Sequence, residues 1–228
     1  MTNKLITIDG PSGSGKGTIT QMVADKLGWH ILDSGALYRV LGIAAQRHDI
    51  PVDQQDQITQ LARNMDIQFI LNTQNGEVEP IFEGENVARE IRTDEAGQAA
   101  SQVAAIPSVR EALLARQRDF YREPGLVADG RDMGTIVFPD APVKIFLTAS
   151  AECRAERRYN QLKSKGVSAN MRALLDSIKS RDERDRTRSV APLVPAEGAF
   201  VVDSSELTIQ EVLSQVLEFA AEKLPELR

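Results

Sequence analysis

Residues 6–18 read Ile6-Thr7-Ile8-Asp9-Gly10-Pro11-Ser12-Gly13-Ser14-Gly15-Lys16-Gly17-Thr18. A short β-branched run ends in a glycine-rich turn, and apolar residues at helical spacing follow from Ile19. Glycines let backbone N–H groups turn inward around an anion, and the following helix adds the positive end of its dipole. In this strand–loop–helix context, the spacing of Gly10, Gly15 and Lys16 is that of a phosphate-binding loop. We therefore predict that residues 10–18 hold nucleotide phosphates and that Lys16 contacts the β- and γ-phosphates.

The loop departs from the usual pattern at one position. Gly17 stands where Ser or Thr normally supplies a hydroxyl to Mg²⁺. We therefore expect the metal to be held through water and an acidic residue elsewhere. The variant Gly15-Lys16-Gly17-Thr18 resembles the loop of nucleoside monophosphate kinases, which make diphosphates from monophosphates and ATP. The loop alone does not identify the acceptor.

The bulk composition limits the class of protein. A chain of 228 residues, 42% hydrophobic and 26% charged, suits one globular domain with an insertion, or two small lobes. The net charge of −6 makes a nucleic-acid partner a poor expectation. A single cysteine, Cys153, excludes an intrachain disulfide framework and fits a reducing compartment.

The sequence carries no signal for export or membrane insertion. The N-terminus leads directly into a strand pattern without a basic start and a long apolar run, so we expect no secretory signal. No apolar run approaches a membrane-spanning length. We expect a soluble, cytoplasmic monomer with neither a membrane nor a nucleic acid as partner.

A second strand and helix follow the loop unit. Ile31 and Leu32 form a short strand pattern, and Asp33-Ser34-Gly35 is a turn that can cap the next helix. Arg39 falls in the first turns of that helix. Open α/β sheets bind ligands at the carboxyl ends of their strands, which favours a phosphate contact for Arg39 over a merely exposed position.

The spacing of the apolar residues then changes from a helical to an alternating pattern. Apolar and polar residues alternate over residues 67–71, as on a half-buried strand, and Asn75-Gly76 is a hairpin signal. Residues 78–82 continue as the return strand, which Pro80 should confine to an edge or a bulge. This pattern indicates a small antiparallel sheet inserted in an α/β chain.

Two helices are predicted after the inserted sheet. The first covers about residues 93–106 and the second about residues 107–122. The residues 108–111, Ser-Val-Arg-Glu, match a capping box that begins a helix. Arg110 then lies near a helix N-terminus, where the dipole disfavours a cation. This position indicates a purpose for Arg110 other than helix stability.

A second acidic strand end follows. The apolar run before Asp129 resembles the second acidic strand of P-loop enzymes, where a carboxylate holds Mg²⁺ or its water.

Two further strands are predicted. Residues 143–147 are almost continuously apolar, as at the centre of a parallel sheet. Residues 200–203 form the last strand pattern, and residues 208–211 match another capping box.

Arginines concentrate in two helices predicted from about residue 150 to residue 188. The first contains Arg154, Arg157 and Arg158, and residues 164–168 break it. In the second, residues 181, 185 and 188 are four and three apart and so share one helix face. A solvated helix with surface salt bridges is the simpler explanation, but the density of arginines in an acidic protein favours a lid over phosphates.

The order of elements predicts an α/β fold. We expect a three-layer P-loop kinase with a central five-stranded parallel sheet, a small antiparallel β insert that binds the monophosphate, and an Arg-rich helical lid. Residues 1–62 and 106–228 would form the core, with the lid at about residues 154–170. Residues 63–105 would form the inserted subdomain.

Four motifs together resemble bacterial cytidylate kinases, and the resemblance covers essentially the whole chain. They are the phosphate loop, Leu32-Asp33-Ser34-Gly35-Ala36-Leu37-Tyr38-Arg39, Ala128-Asp129-Gly130-Arg131-Asp132-Met133-Gly134-Thr135, and the arginine-rich segment 181–193. The resemblance implies phosphoryl transfer from ATP, with Mg²⁺, to CMP or dCMP.

The resemblance also implies roles for matching residues. Asp132 would accept a hydrogen bond from the cytosine amino group, as carboxylates do. Ser101 and Arg110 would complete the base pocket, and Arg181 and Asp185 would hold the ribose hydroxyls. The other assigned residues are Arg39, Arg131 and Arg188 on the CMP phosphate, Ser34, Gly35 and Tyr38 in substrate binding, and Arg157 and Arg158 on the ATP phosphates. Lys16, Asp129, Arg131, Arg157 and Arg158 form the catalytic set.

Three rival functions remain to be compared with this one. A kinase for UMP, AMP or another small acceptor has the same donor loop, but uracil has a carbonyl where a carboxylate reader such as Asp132 needs a donor. A P-loop GTPase or regulatory nucleotide binder needs an Asn-Lys-x-Asp guanine reader, which the sequence lacks. A nucleic-acid-dependent ATPase is disfavoured by the acidic charge.

Overall fold

The computed structural model describes residues 4–71, 78–164 and 166–227. Strands and α-helices follow one another within this part of the chain. They are β1 (Leu5–Asp9), α1 (Lys16–Leu27), β2 (His30–Asp33), α2 (Ser34–Arg47), α3 (Gln55–Asn64), β3 (Ile67–Leu71), β4 (Val78–Phe82), β5 (Glu85–Asn86), α4 (Asp94–Val103), α5 (Pro107–Arg118), β6 (Leu126–Gly130), β7 (Val143–Thr148), α6 (Ala151–Ser164), α7 (Met171–Thr187), β8 (Phe200–Asp203) and α8 (Ile209–Lys223).

Contacts between residues divide the chain into two compact units. The first unit comprises Met1–Asp33 and Arg118–Arg228, and the second comprises Ser34–Gln117. The sequence-based division into residues 1–62 plus 106–228 and an insert of residues 63–105 stays a prediction. Within the described residues, no helix has both the length and the apolar character needed to cross a membrane.

The first unit contains a five-stranded parallel sheet in the order β2-β6-β1-β7-β8. Residues Asp9 and Gly130 are partners at the ends of β1 and β6, and Asp33 and Asp129 are partners between β2 and β6. The polar ends of three strands therefore meet at one edge. The predicted α/β fold with a central five-stranded parallel sheet is confirmed.

The central strand β1 is buried along its whole length. Ile6 and Ile8 pack in one apolar cluster with Val23 of α1 and with Val212 and Val216 of α8. Burying one such side chain stabilises the fold by roughly 1.5–3 kcal/mol, so this cluster fixes the strand that leads into the phosphate loop. The predicted capping box of α8 is confirmed, because Thr208 and Glu211 bond each other's backbone N–H groups.

The second unit contains the predicted small antiparallel sheet, in the order β3-β4-β5. The expectation that Pro80 confines β4 to an edge is wrong, because β4 lies between the other two strands. Pro80 is tolerated in this inner strand because β5 is short and pairs with Ile81 and Phe82. Pro80 therefore lies beyond that ladder, where its carbonyl accepts a hydrogen bond from the Val87 N–H. The predicted hairpin at Asn75-Gly76 lies outside the described residues.

The helices of the second unit begin differently from the prediction. Ser34 starts α2 directly after β2, so the expected turn at residues 33–35 is absent. Thr93, not predicted as a cap, accepts the Ala96 N–H at the start of α4. The capping box at Ser108 is wrong, because α5 already begins at Pro107, a residue suited to a first helical position. The Ser108 hydroxyl instead pairs with Thr59 Oγ1 at 2.7 Å.

Helix ends also differ. The structure ends α5 at Arg118 instead of residue 122 and begins α7 at Met171, after Asn170, whose side chain accepts the Ala173 N–H. Arg188 follows the last residue of α7 and leaves the helical backbone conformation. It therefore does not continue the helix face that Arg181 and Asp185 were predicted to share with it.

Candidate active site

The glycine-rich loop joins β1 to α1 in the first unit, and its glycines adopt conformations that other residues rarely take. The φ angles of Gly13 and Gly15 are 78° and 95°. Gly10 has φ 149°, and a Cβ there would lie 1.9 Å from the Leu147 carbonyl oxygen. The loop therefore passes against β7 at a distance that only glycine permits.

The side chain of Lys16 turns back into this loop. Its Nζ donates to the Pro11 carbonyl at 2.9 Å and lies 3.9 Å from Asp129 Oδ1. Burial lowers the pKa of Lys16 well below its usual range; the positive charges of Arg131 and Arg181 lower it further, and Asp129 opposes them. A buried ammonium with so little compensation favours an added anion in the loop.

Two carboxylates, those of Asp9 and Asp129, lie at the sheet edge where β1 and β6 end. Asp129 lies in the strand β6, as predicted, and its Oδ1 is 3.9 Å from Lys16 Nζ. Asp9, which the sequence analysis did not select, accepts hydrogen bonds from the backbone N–H groups of Met133 and Gly134, both at 2.8 Å. Burial raises the pKa of Asp9 to about 7, against the lowering effect of these bonds and with smaller contributions from Asp132 and Asp129. The sequence signal that could have identified Asp9 is its position as a carboxylate at the end of an apolar strand.

The residues near Asp129 fit a metal bound by one carboxylate. A Cβ added at Gly17 would meet Asp129 Oδ2 at 3.6 Å, so this oxygen faces the first turn of α1. Mg²⁺ is commonly bound by one or two carboxylates together with water and substrate phosphates. The buried Ser14 Oγ of the loop has no hydrogen-bond partner within the described residues, and so adds a polar atom for a ligand. No cluster of three or more His, Cys, Asp or Glu suited to a metal occurs in that part of the chain.

Arg154 of α6 supports the loop from outside. Its guanidinium donates to the Ser12 carbonyl at 3.1 Å and forms a bidentate pair with Asp182 of α7. A fourth hydrogen bond reaches the Ala149 carbonyl at 2.9 Å. Only 2% of Arg154 is exposed. Sequence reasoning placed this arginine in a mobile lid, whereas the structure buries it in the scaffold.

The neighbouring arginines of α6 have other partners. Arg157 contacts the Ser14 carbonyl at 3.4 Å and both the hydroxyl and the carbonyl of Ser204. Ser204 also donates to the Ser14 carbonyl at 3.1 Å, a support that the sequence analysis missed. Arg158 donates to Gln161 on its own helix. The assignment of Arg157 and Arg158 to ATP phosphates stays a prediction.

Three residues assigned to the acceptor in the first unit contact one another or the loop. Arg131 donates to Asp185 Oδ2 at 3.1 Å, and Arg181 donates to the Ser12 hydroxyl at 3.1 Å. Arg188 is buried and donates to the Ala191 carbonyl. Asp132 is also buried, with 2% exposed.

The second unit contains the remaining predicted residues. Arg39 donates to the Ile91 carbonyl at 2.6 Å, and Arg110 donates to the Ala104 carbonyl at 3.2 Å. The Arg110 guanidinium also lies 5.6 Å from the centre of the Tyr38 ring. The Ser34 hydroxyl donates to Gln117 at 2.6 Å. Gly35 lies in the first turn of α2, and Ser101 is buried in α4. The structure thus brings Tyr38 and Arg110 together.

Comparison with known proteins identifies the family. The sequence profile of the cytidylate kinase family matches residues 6–222. A cytidylate kinase of Colwellia psychrerythraea is 60% identical over 220 residues, 96% of this chain and 97% of that protein. Those of Aeromonas salmonicida and an Enterobacter species are each 59% identical over 220 residues, 96% of this chain and 95% and 96% of theirs. The chain therefore belongs to the cytidylate kinase family.

Proposed function

We propose that this protein transfers the γ-phosphoryl group of ATP to CMP or dCMP, giving CDP or dCDP and ADP. The observation that carries the proposal is the buried Lys16 ammonium, which lies inside a glycine-rich loop and beside Asp129. Membership of the cytidylate kinase family supports a cytosine nucleotide as the acceptor.

The donor half of the reaction follows from the loop. Its backbone N–H groups and the start of α1 would bind the β- and γ-phosphates, and Lys16 would neutralise charge that develops between them. Arg157 and Arg158, on α6, would add positive charge to the same phosphates. The predicted lid, at about residues 154–170, would exclude water and so suppress hydrolysis of ATP.

Asp129 is the residue that would hold Mg²⁺, directly or through water. When bound, Mg²⁺ supplies charge neutralisation across the phosphate oxygens of the donor. Gly17 contributes no hydroxyl to this site, which distinguishes the loop from those that end in Lys-Ser or Lys-Thr.

The acceptor would be recognised by base, ribose and phosphate. Asp132 would accept from the cytosine amino group, with Ser101 and Arg110 as further contacts to the base. Arg181 and Asp185 would bind the ribose hydroxyls. The phosphate ligands would be Arg39, Arg131 and Arg188, and Ser34, Gly35 and Tyr38 would complete substrate binding. Arginine suits these positions because its planar guanidinium can bind a phosphate through two parallel hydrogen bonds.

The chemistry needs no covalent intermediate. A CMP phosphate oxygen attacks the γ-phosphorus of ATP in line, the bond from that phosphorus to the β–γ bridging oxygen breaks, and ADP leaves. The attacking oxygen is already anionic, so no general base is required. Catalysis then consists of positioning and charge neutralisation by Lys16 and the arginines.

We place the reaction in pyrimidine nucleotide metabolism in the cytoplasm and expect a monomer. The single cysteine fits a reducing compartment. The partners are the small molecules ATP and CMP or dCMP.

The test is ADP release measured with CMP, dCMP, UMP and AMP as separate acceptors. We expect CMP and dCMP to stimulate release strongly, and Asp132→Ala to raise the KM for CMP far more than the KM for ATP. Asp140→Ala, which removes an exposed carboxylate nearby in the sequence, is the matched control. Equal ADP release with and without any acceptor would identify an ATPase and refute the proposal.

A further inference from the structure

We propose that Asp9 is a positioning residue that orients Asp132 and thereby sets the selectivity for cytosine over uracil nucleotides. The inference rests on the proposed function, because it takes Asp132 as the reader of the base. Asp9 itself would touch neither nucleotide. It would act through the backbone of the segment that follows β6.

The two hydrogen bonds of Asp9 fall directly after Asp132. Oδ1 accepts from the Met133 N–H and Oδ2 accepts from the Gly134 N–H, each at 2.8 Å. A carboxylate held by two consecutive amides fixes both the position and the plane of the backbone there. Hydrogen bonds to an ionised carboxylate are roughly twice as strong as those between neutral groups.

The peptide group that joins Asp132 to Met133 is also held at its oxygen. The Asp132 carbonyl accepts from the N–H groups of Ile136 at 2.9 Å and Val137 at 3.1 Å, within a π-helical turn over Met133–Val137. This peptide group is thus held at its oxygen by the turn and at its N–H by Asp9. Because a peptide group is planar, both restraints fix the backbone directly after the Cα atom that carries the Asp132 side chain.

Packing leaves this segment little room to adjust. A Cβ added at Gly134 would lie 2.9 Å from Thr7 Oγ1, so the backbone presses against β1. Met133 is fully buried, and its side chain lies against Gly130. Loss of one amide bond would therefore shift the segment as a body and not merely relax one residue.

The cost of burying Asp9 points in the same direction. Asp9 is 3% exposed, and burial raises its pKa to about 7. An apolar residue at the end of a buried strand would avoid this desolvation cost. The carboxylate is thus explained better by the orientation that it imposes than by the stability that it adds. It also connects β1, which leads into the donor loop, with the segment that contains Asp132.

The experiment compares Asp9→Asn with the unsubstituted enzyme. Asparagine has one carbonyl oxygen, so one of the two amides faces an NH₂ group and loses its acceptor. We expect the ratio of kcat/KM for CMP to kcat/KM for UMP to fall about tenfold or more, from one lost bond to a charged group. This fall should come from a higher KM for CMP, while the KM for ATP should change less than about threefold.

Thr7→Ser is the matched control. It changes a buried side chain of the same strand but keeps the hydroxyl that faces Gly134, and it removes no bond to the Met133–Gly134 amides. Its CMP-to-UMP ratio should equal that of the unsubstituted enzyme. If Asp9→Asn lowers the melting temperature and leaves the ratio unchanged, its role is structural and the inference is wrong.

A second variant covers the case in which Asp9→Asn does not fold. Gly134→Ala keeps the carboxylate and displaces the amide, since its Cβ meets Thr7 Oγ1. An unchanged ratio in this variant would also overturn the inference. Failure of the proposed function is distinct, because it would appear as an absence of preference for CMP in the unsubstituted enzyme.

Discussion

The phosphate loop and the arginine-rich helix α6 lie in the same unit, but they differ in how their residues acquire partners. In the loop, Lys16 bonds to Pro11, five residues away. In α6, Arg154 is bound by Asp182, whereas Arg158 bonds to Gln161 on its own helix. The side chain of Lys16 is thus held within its own loop, and that of Arg154 is held by another helix. Arg158 lies on the same helix as Arg154 but bonds within that helix, so two arginines only a few residues apart can differ in role.

This difference separates phosphate-binding charge from structural charge. The Ser12 carbonyl accepts a hydrogen bond from Arg154, whose charge is paired with Asp182. A cation paired in this way holds the loop backbone through a carbonyl and leaves the loop N–H groups to bind phosphates. The buried Arg154–Asp182 pair thus supports the loop and need not contact ATP.

Removal of the loop cation should have the largest effect. We expect Lys16→Ala to lower kcat by about a thousandfold, or about 4 kcal/mol of transition-state stabilisation, because the Lys16 ammonium is buried in the loop at the Pro11 carbonyl. Steady-state ADP release with saturating CMP measures this. Lys26→Ala, in the exposed last turn of α1, is the control and should retain full activity. Near-normal turnover of Lys16→Ala would contradict the phosphate role.

Removal of the structural charge should act mainly on stability. Asp182→Asn leaves the Arg154 guanidinium buried without its counter-charge, so we expect the free energy of unfolding to fall by about 3 kcal/mol. The KM for ATP should rise as the Ser12 carbonyl loses its fixed donor. Urea denaturation and initial rates measure the two effects.

The control for this prediction joins the same two helices at the surface. Glu152 and Lys179 form an exposed pair at 3.0 Å, and Glu152→Gln should leave the unfolding curve unchanged. Equal losses from Asp182→Asn and Glu152→Gln would mean that burial does not distinguish the two pairs.

A smaller effect should appear in the pH dependence of stability. Asp9 is a buried acid whose pKa is raised to about 7 by burial, with Asp132 and Asp129 adding to the shift and Lys16 facing the same edge. The folded state then binds a proton more tightly than the unfolded state between about pH 4 and about pH 7. The stability that the proton supplies is lost as the pH rises through this window.

The measurement compares the unsubstituted protein with Asp9→Asn. Relative to the variant, the free energy of unfolding of the unsubstituted protein should fall by about 1.4 kcal/mol between about pH 6 and about pH 8. A difference that stays constant across this range would show that Asp9 does not titrate there. Denaturant midpoints at several pH values are sufficient.

The sequence predicts the parts of this molecule whose causes are local. The apolar run into Asp9, the loop glycines and the capping box at Thr208 each depend on neighbours within a few residues, and all three appear as expected. The start of α5 at Pro107 was predicted, but the capping box at Ser108 was wrong, because Pro107 is itself the first helical residue. That error did not depend on a partner distant in the sequence.

The parts that were missed depend on distant partners. The segment Met133–Val137 is rich in β-branched residues, yet it forms a π-helical turn in which Asp9, 124 residues away, holds the first amide. The Arg154–Asp182 pair joins two helices across 28 residues. Charge density indicated that α6 and α7 face phosphates, but it carried no information about which arginine would be buried.

Gly17 offers a final consequence. Apart from its chain neighbours and the backbone of its own helix, a Cβ at this position would meet Asp129 Oδ2 at 3.6 Å, which is ordinary contact. Packing therefore does not forbid a side chain there. In the proposed mechanism this glycine leaves Mg²⁺ to Asp129 and water, and the loop has room for the hydroxyl that Ser or Thr supplies in the usual phosphate-binding loop. Gly17→Ser would therefore add a metal ligand without rebuilding the loop.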